Sequence, residues 1–78
     1  MKIEHLSELG PGRAGVVEGY DVHDQTTERL RELGLVSGTR VQVKRLAPLG
    51  DPMELFLRGY CLSVRLEDAA RIRVRLEA

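Results

Sequence analysis

Apolar and polar positions alternate with a period of two through most of the second half of this chain. Arg40-Val41-Gln42-Val43-Lys44 reads as a half-buried strand. From Met53 to Arg65 the alternation reflects about a two-residue loop at Arg58-Gly59. That loop pairs Leu57 with Tyr60, Leu55 with Leu62 and Met53 with Val64, all six facing one way, and leaves Phe56 opposite Cys61 and Glu54 opposite Ser63 on the wet face. A three-residue loop mixes the two faces and is rejected on that ground. Arg71 to Leu76 alternates again, with Ile72, Val74 and Leu76 inward. Ala14 to Tyr20 predicts one further strand. Its pattern is imperfect because Val16 and Val17 are adjacent, and Gly15 and Gly19 are expected to mark a bulge or a close backbone approach.

Between these strands the spacing changes once. Gln25 to Leu33 predicts a short helix with Asp24 as its N-cap and with Leu30 and Leu33 held against the sheet, since so short a helix is unstable alone in water. Gly34 falls where a left-handed residue ends a helix. With Leu33 as C-cap, Leu35 and Leu30 become the apolar pair of a Schellman stop. Val36-Ser37-Gly38-Thr39 and Ala47-Pro48-Leu49-Gly50-Asp51-Pro52 read as shaped turns. Gly10-Pro11-Gly12 breaks the chain after a turn at Leu6 to Leu9, and Glu67 to Ala70 forms a turn or one helical turn. The expected architecture is mainly β, with about five short antiparallel strands closing into a small barrel and one short inserted helix.

Length and composition narrow the function. Seventy-eight residues suit one small domain spanning residues 1–78. Twelve basic and twelve acidic residues leave no net charge, and so no general attraction to nucleic acid or an anionic membrane. The balance is uneven: residues 1–39 hold four basic and seven acidic side chains, and residues 40–78 hold eight and five. One cysteine makes no internal disulfide, and no apolar run approaches the roughly 20 residues of a membrane span or the core of a signal peptide. The expected compartment is the cytoplasm, without direct membrane insertion.

The helix end ELGL (Glu32 to Leu35), the SGT turn (Ser37 to Thr39), the APLGDP loop (Ala47 to Pro52) and RGY (Arg58 to Tyr60) resemble, in order and spacing, the family of ferrous iron transport protein A, FeoA. HLSELGPGRAGVV, His5 to Val17, is similar to that family's opening. The resemblance implies an SH3-like barrel. It also implies a small cytoplasmic accessory that regulates the FeoB-type membrane ferrous iron transporter by binding its cytosolic GTPase or its membrane portion. The alternative is the SH3-like module of a metal-dependent transcriptional regulator. The chain's own starting methionine and its lack of a recognition helix favour the accessory.

Chemistry is sparse. Cys61 lacks a histidine beside it, no serine sits in a nucleophile elbow, and Gly10-Pro11-Gly12-Arg13 lacks the ending of a phosphate-binding loop, so no catalytic residue and no cofactor is assigned. Asp21, His23 and Asp24 have the residue types of a metal set. Asp24 is already used as a cap, however, and the three are read as a solvated loop, with His5 and Cys61 as structural or surface residues. The Arg71, Arg73, Arg75 stripe with Arg40 and Lys44 lacks aromatic stacking platforms and is read as an ordinary outer face. The candidate contact residues are Phe56 on the outer face, Arg58 at the hairpin tip, and the corner Leu33, Leu35 and Val36 at the helix end. Arg58 is also the candidate donor of an arginine to a GTPase, and any of these surfaces would serve weak self-association.

Overall fold

The computed structural model describes residues 2–77; Met1 and Ala78 lie outside the described residues. The chain runs β1 (Ile3–His5), a 3-10 turn (Leu6–Glu8), β2 (Ala14–Tyr20), α1 (Gln25–Glu32), β3 (Arg40–Leu46), β4 (Met53–Leu57), β5 (Tyr60–Val64), α2 (Leu66–Ala69) and β6 (Ile72–Leu76). All six strands form one antiparallel sheet in the order β1-β6-β2-β3-β4-β5. This is the expected mainly β architecture with one strand more. The sheet curls over its core but is not hydrogen-bonded into a ring, because β1 and β5 remain as edges.

The hairpin register is the one its alternation predicts: Leu57 pairs with Tyr60, Leu55 with Leu62 and Met53 with Val64. Arg58 and Gly59 both have positive φ, 48° and 85°, the backbone sense that matches the right-handed twist of the flanking strands. Met53, Leu55, Leu57 and Val64 are buried. Tyr60 departs from the expected inward row and is 40% exposed, lying at the hairpin's end with its hydroxyl turned to the helix.

β2 also shows why its alternation is broken. Its register against β6 shifts between Val17 and Gly19, so Glu18 bulges out. A side chain at Gly15 would place its Cβ 2.7 Å from the Arg75 carbonyl oxygen, so the two strands close only on glycine.

α1 is capped as its sequence requires. The Asp24 carboxylate accepts the Thr27 N–H at 3.0 Å, and the Thr27 hydroxyl accepts the Asp24 N–H at 2.9 Å. At the other end the Gly34 N–H bonds the Arg31 carbonyl at 3.0 Å and the Leu35 N–H bonds the Leu30 carbonyl at 3.1 Å, the two bonds of a Schellman stop. Leu30, Leu35 and the inner faces of the strands meet in one apolar cluster, joined by Leu6 and Leu9 from the first loop and Ala69 from α2.

Candidate functional site

The candidate site is a corner where the end of α1 meets the β4–β5 hairpin. Gly34 has φ 112°, outside what a side-chain-bearing residue adopts without strain, and a Cβ there would lie 2.6 Å from the Tyr60 hydroxyl oxygen. The helix end is thus fitted directly onto the hairpin. Helix termini leave carbonyls without partners, and here two tyrosines supply them. The Tyr60 hydroxyl donates to the Leu33 carbonyl, and the buried Tyr20 hydroxyl donates to the Leu35 carbonyl at 2.7 Å. Burial pushes the Tyr20 hydroxyl up to about 12, opposed by the Arg31 guanidinium 5.4 Å from the ring centroid, so it serves as a neutral donor.

The following turn is fixed to β2. The Ser37 hydroxyl donates to the Glu18 carbonyl at 2.7 Å and the Gly38 N–H to the Val17 carbonyl at 2.9 Å. Arg58 reaches the same segment, its guanidinium donating to the Thr39 hydroxyl at 3.1 Å.

Of the residues selected from sequence, the structure brings Leu33, Val36 and Arg58 to this corner, with Leu33 41% exposed. Leu35 does not belong to the offered surface. It is fully buried, because the Schellman turn that carries it past Gly34 directs it into the core. Tyr60 takes its place as an exposed apolar side chain beside Leu33. The row of core positions hid it, and the only sequence signal was that a tyrosine ended that row beside a polar hairpin tip.

Phe56 lies on the outer face opposite Cys61, 37% exposed, with the Lys44 ammonium 5.7 Å from its ring centroid. Cys61 is a free, exposed thiol.

The loop carrying Asp21, His23 and Asp24 sends its three side chains to different partners. Asp21 accepts from Arg73 and contacts His5 at 2.6 Å, and the hydrogen bonds from Arg73 and His5 hold its carboxyl below the usual range. His23 meets Arg31 at 3.2 Å. Asp24 is held low by the Thr27 backbone N–H, helped by the charge of Arg71, which bonds it at 3.0 Å. Among the described residues no group of three or more His, Cys, Asp or Glu side chains is placed to hold a metal ion.

The arginine stripe is neutralised in the same way. Arg71 pairs with Asp24, Arg73 with Asp21, Arg75 with Glu18 at 2.6 Å and Arg40 with Glu77 at 2.6 Å. Exposed pairs of this kind are worth little in stability. Their effect is to remove a row of free positive charge.

A small, mainly β domain in which one antiparallel sheet and a short helix enclose a single apolar core belongs to the class of SH3-like domains. The FeoA domain family matches residues 4–76, and this chain belongs to it. It is 38% identical over 71 residues to the Fe(2+) transport protein A/Fe(2+) transporter FeoB fusion protein of Porphyromonas gingivalis; those residues are 91% of this chain and 8% of that protein. The FeoA protein of Chlorobium tepidum is similar in structure, with a TM-score of 0.87 and 39% identity, over 95% of this chain and 70% of that one. FeoA of Stenotrophomonas maltophilia, solved with zinc and described as an SH3 domain protein, gives a TM-score of 0.75 at 34% identity over 92% of this chain and 87% of that one. A manganese-dependent transcriptional repressor, 16% identical with a TM-score of 0.88, shares the fold alone. None of these matches is to an enzyme family, and no helix among the described residues is long and apolar enough to cross a membrane.

Proposed function

We propose that this chain is a regulatory accessory of a FeoB-type ferrous iron transporter, acting by binding it at the cytoplasmic side and carrying out no chemistry itself. The observation behind this reading is the Porphyromonas gingivalis relative, in which an FeoA domain and FeoB are parts of one polypeptide. Fusion of two proteins makes their association intramolecular, which is of use only where the separate proteins meet. The corner of Leu33, Val36, Arg58 and Tyr60, with Phe56 on the adjoining outer face, is the surface proposed for contact. Arg58 is tied to Thr39 and sits on a rigid turn, so it is read here as a contact residue and not as an arginine donated to a nucleotide. The likeness to metal-dependent repressors extends to the fold only and favours no second reading.

A titration of the chain against the cytosolic GTPase domain of its cognate transporter, with GDP and with a non-hydrolysable GTP analogue, tests this. Saturable binding is expected, and a difference between the nucleotides would identify the state it regulates. Absence of binding to both that domain and the intact transporter would overturn the reading.

A further inference from the structure

The turn between β3 and β4 carries the most exposed large apolar side chain among the described residues. Leu49 is 96% exposed, and Leu46 and Pro48 beside it are exposed as well. The turn that holds them out is not slack. The Gly50 N–H bonds the Ala47 carbonyl at 2.7 Å, the Ala47 N–H bonds the Pro52 carbonyl at 2.9 Å, and the Asp51 carboxylate accepts the Leu66 N–H of α2 at 3.1 Å. Gly50 turns at φ 90°, and Pro48 and Pro52 fix their own φ. An apolar tip braced across its own base and against a neighbouring helix has already lost much of the freedom that binding would otherwise cost it.

Charge names what covers the tip. Asp51 stands in the turn itself, and its bond to Leu66 sets the first turn of α2, with Glu67 and Asp68, at the turn's base. None of these three carboxylates takes part in an ion pair among the described residues. On the cationic side Arg45 is bonded to Glu54 at 3.0 Å, which leaves Arg65, just before α2, against the three. An apolar tip with acidic groups at its base is repelled by an anionic lipid surface and by a second copy of the same tip. It fits an apolar pocket edged with lysine or arginine, and the cytoplasmic loops of membrane proteins carry an excess of those two residues.

We propose that the turn from Ala47 to Pro52 docks into an apolar pocket among the basic cytoplasmic loops of the transporter's membrane portion, with Leu49 as the anchor. The corner of Leu33, Arg58 and Tyr60 lies at the other end of β4, because that strand runs from the turn to the hairpin tip. Five residues of strand separate the two ends, about 17 Å. The chain then meets two parts of the transporter at once, the corner taking the GTPase domain and the turn the membrane portion, and sets the spacing between them. The inference rests on the reading of the chain as a transporter accessory and names which end meets which part.

Leu49→Ser, titrated against the isolated GTPase domain and against the intact transporter in detergent, tests it. Leu49 packs on almost nothing in its own chain, so the variant is expected to melt with the unaltered chain. Its binding to the GTPase domain should be unchanged and its binding to the intact transporter weaker by about tenfold or more. Glu67→Gln removes one exposed charge, and should weaken the intact complex and lower its sensitivity to salt. Intact-transporter binding that is equal with and without Leu49→Ser would overturn docking by the turn and leave the accessory function standing. The same loss on the isolated GTPase domain would put the turn on that domain and overturn the assignment to the membrane portion. Binding that ignores both Glu67→Gln and salt would overturn the basic pocket. An unaltered chain that binds neither form would overturn the accessory function and this inference with it.

Discussion

Phe56 and Tyr60 are exposed to nearly the same extent, 37% and 40%, yet only one of them has a structural task. Tyr60 satisfies the carbonyl at the end of α1, whereas Phe56 has Lys44 above its ring and lies between Gln42 and Cys61 of the neighbouring strands. Phe56→Ser is therefore expected to cost no more than about 1 kcal/mol in a thermal or urea melt, through loss of the ring's contact with Lys44, and to weaken transporter binding measured by titration. Tyr20 is the opposite case. Its hydroxyl ionises at about 12 when folded against about 10 in the unfolded chain, so the stability linked to it is intact below pH 10 and lost as pH rises toward 12. The loss is of the order of 2–3 kcal/mol, and Tyr20→Phe should flatten that part of the stability–pH curve while lowering stability at neutral pH by leaving the Leu35 carbonyl without its partner. Denaturant melts of both proteins between pH 8 and about 11.5 measure this.

At the scale of elements, local chemistry made much of the chain legible. The cap at Asp24, the stop at Gly34 and the contact between Leu30 and Leu35 are interactions within a few residues of each other, and α1 ends within one residue of its expected limit. Leu30 is buried and holds both the helix and its stop, so Leu30→Ala is expected to destabilise by about 2–4 kcal/mol in a denaturant melt. A melt unchanged within error would count against that packing role. What escaped the sequence depends on distant partners. β1 has one apolar residue in three and exists because β6 offers it a free edge some seventy residues away. Leu35 was read as part of an offered corner, and only the descent of the chain after Gly34 buries it. The pairing of His5 with Asp21 and of three arginines with Glu18, Asp21 and Asp24 also joins segments that local pattern does not connect. Phe56 was legible on the outer face because register alone decides which way it points.

For the molecule as a whole, the excess acid of the first half and the excess base of the second are brought face to face where β6 lies beside β2, so the asymmetry of the sequence becomes near-neutrality on that surface. The strand that does this comes last in the chain and lies between β1 and β2, two of the first. Removal of residues 72–77 therefore deletes an interior strand, not a fringe, and the shortened chain is expected to lose the dispersed amide spectrum and cooperative melt of the full one. The same placement has a meaning in time. As the chain leaves the ribosome, β2, β3, β4 and β5 can pair as they emerge, while β1 has no partner and β2 keeps one edge open until β6 has been made. Closing of the sheet is thus timed to its sixth strand, and a pause just before β6 would hold β1 unpaired.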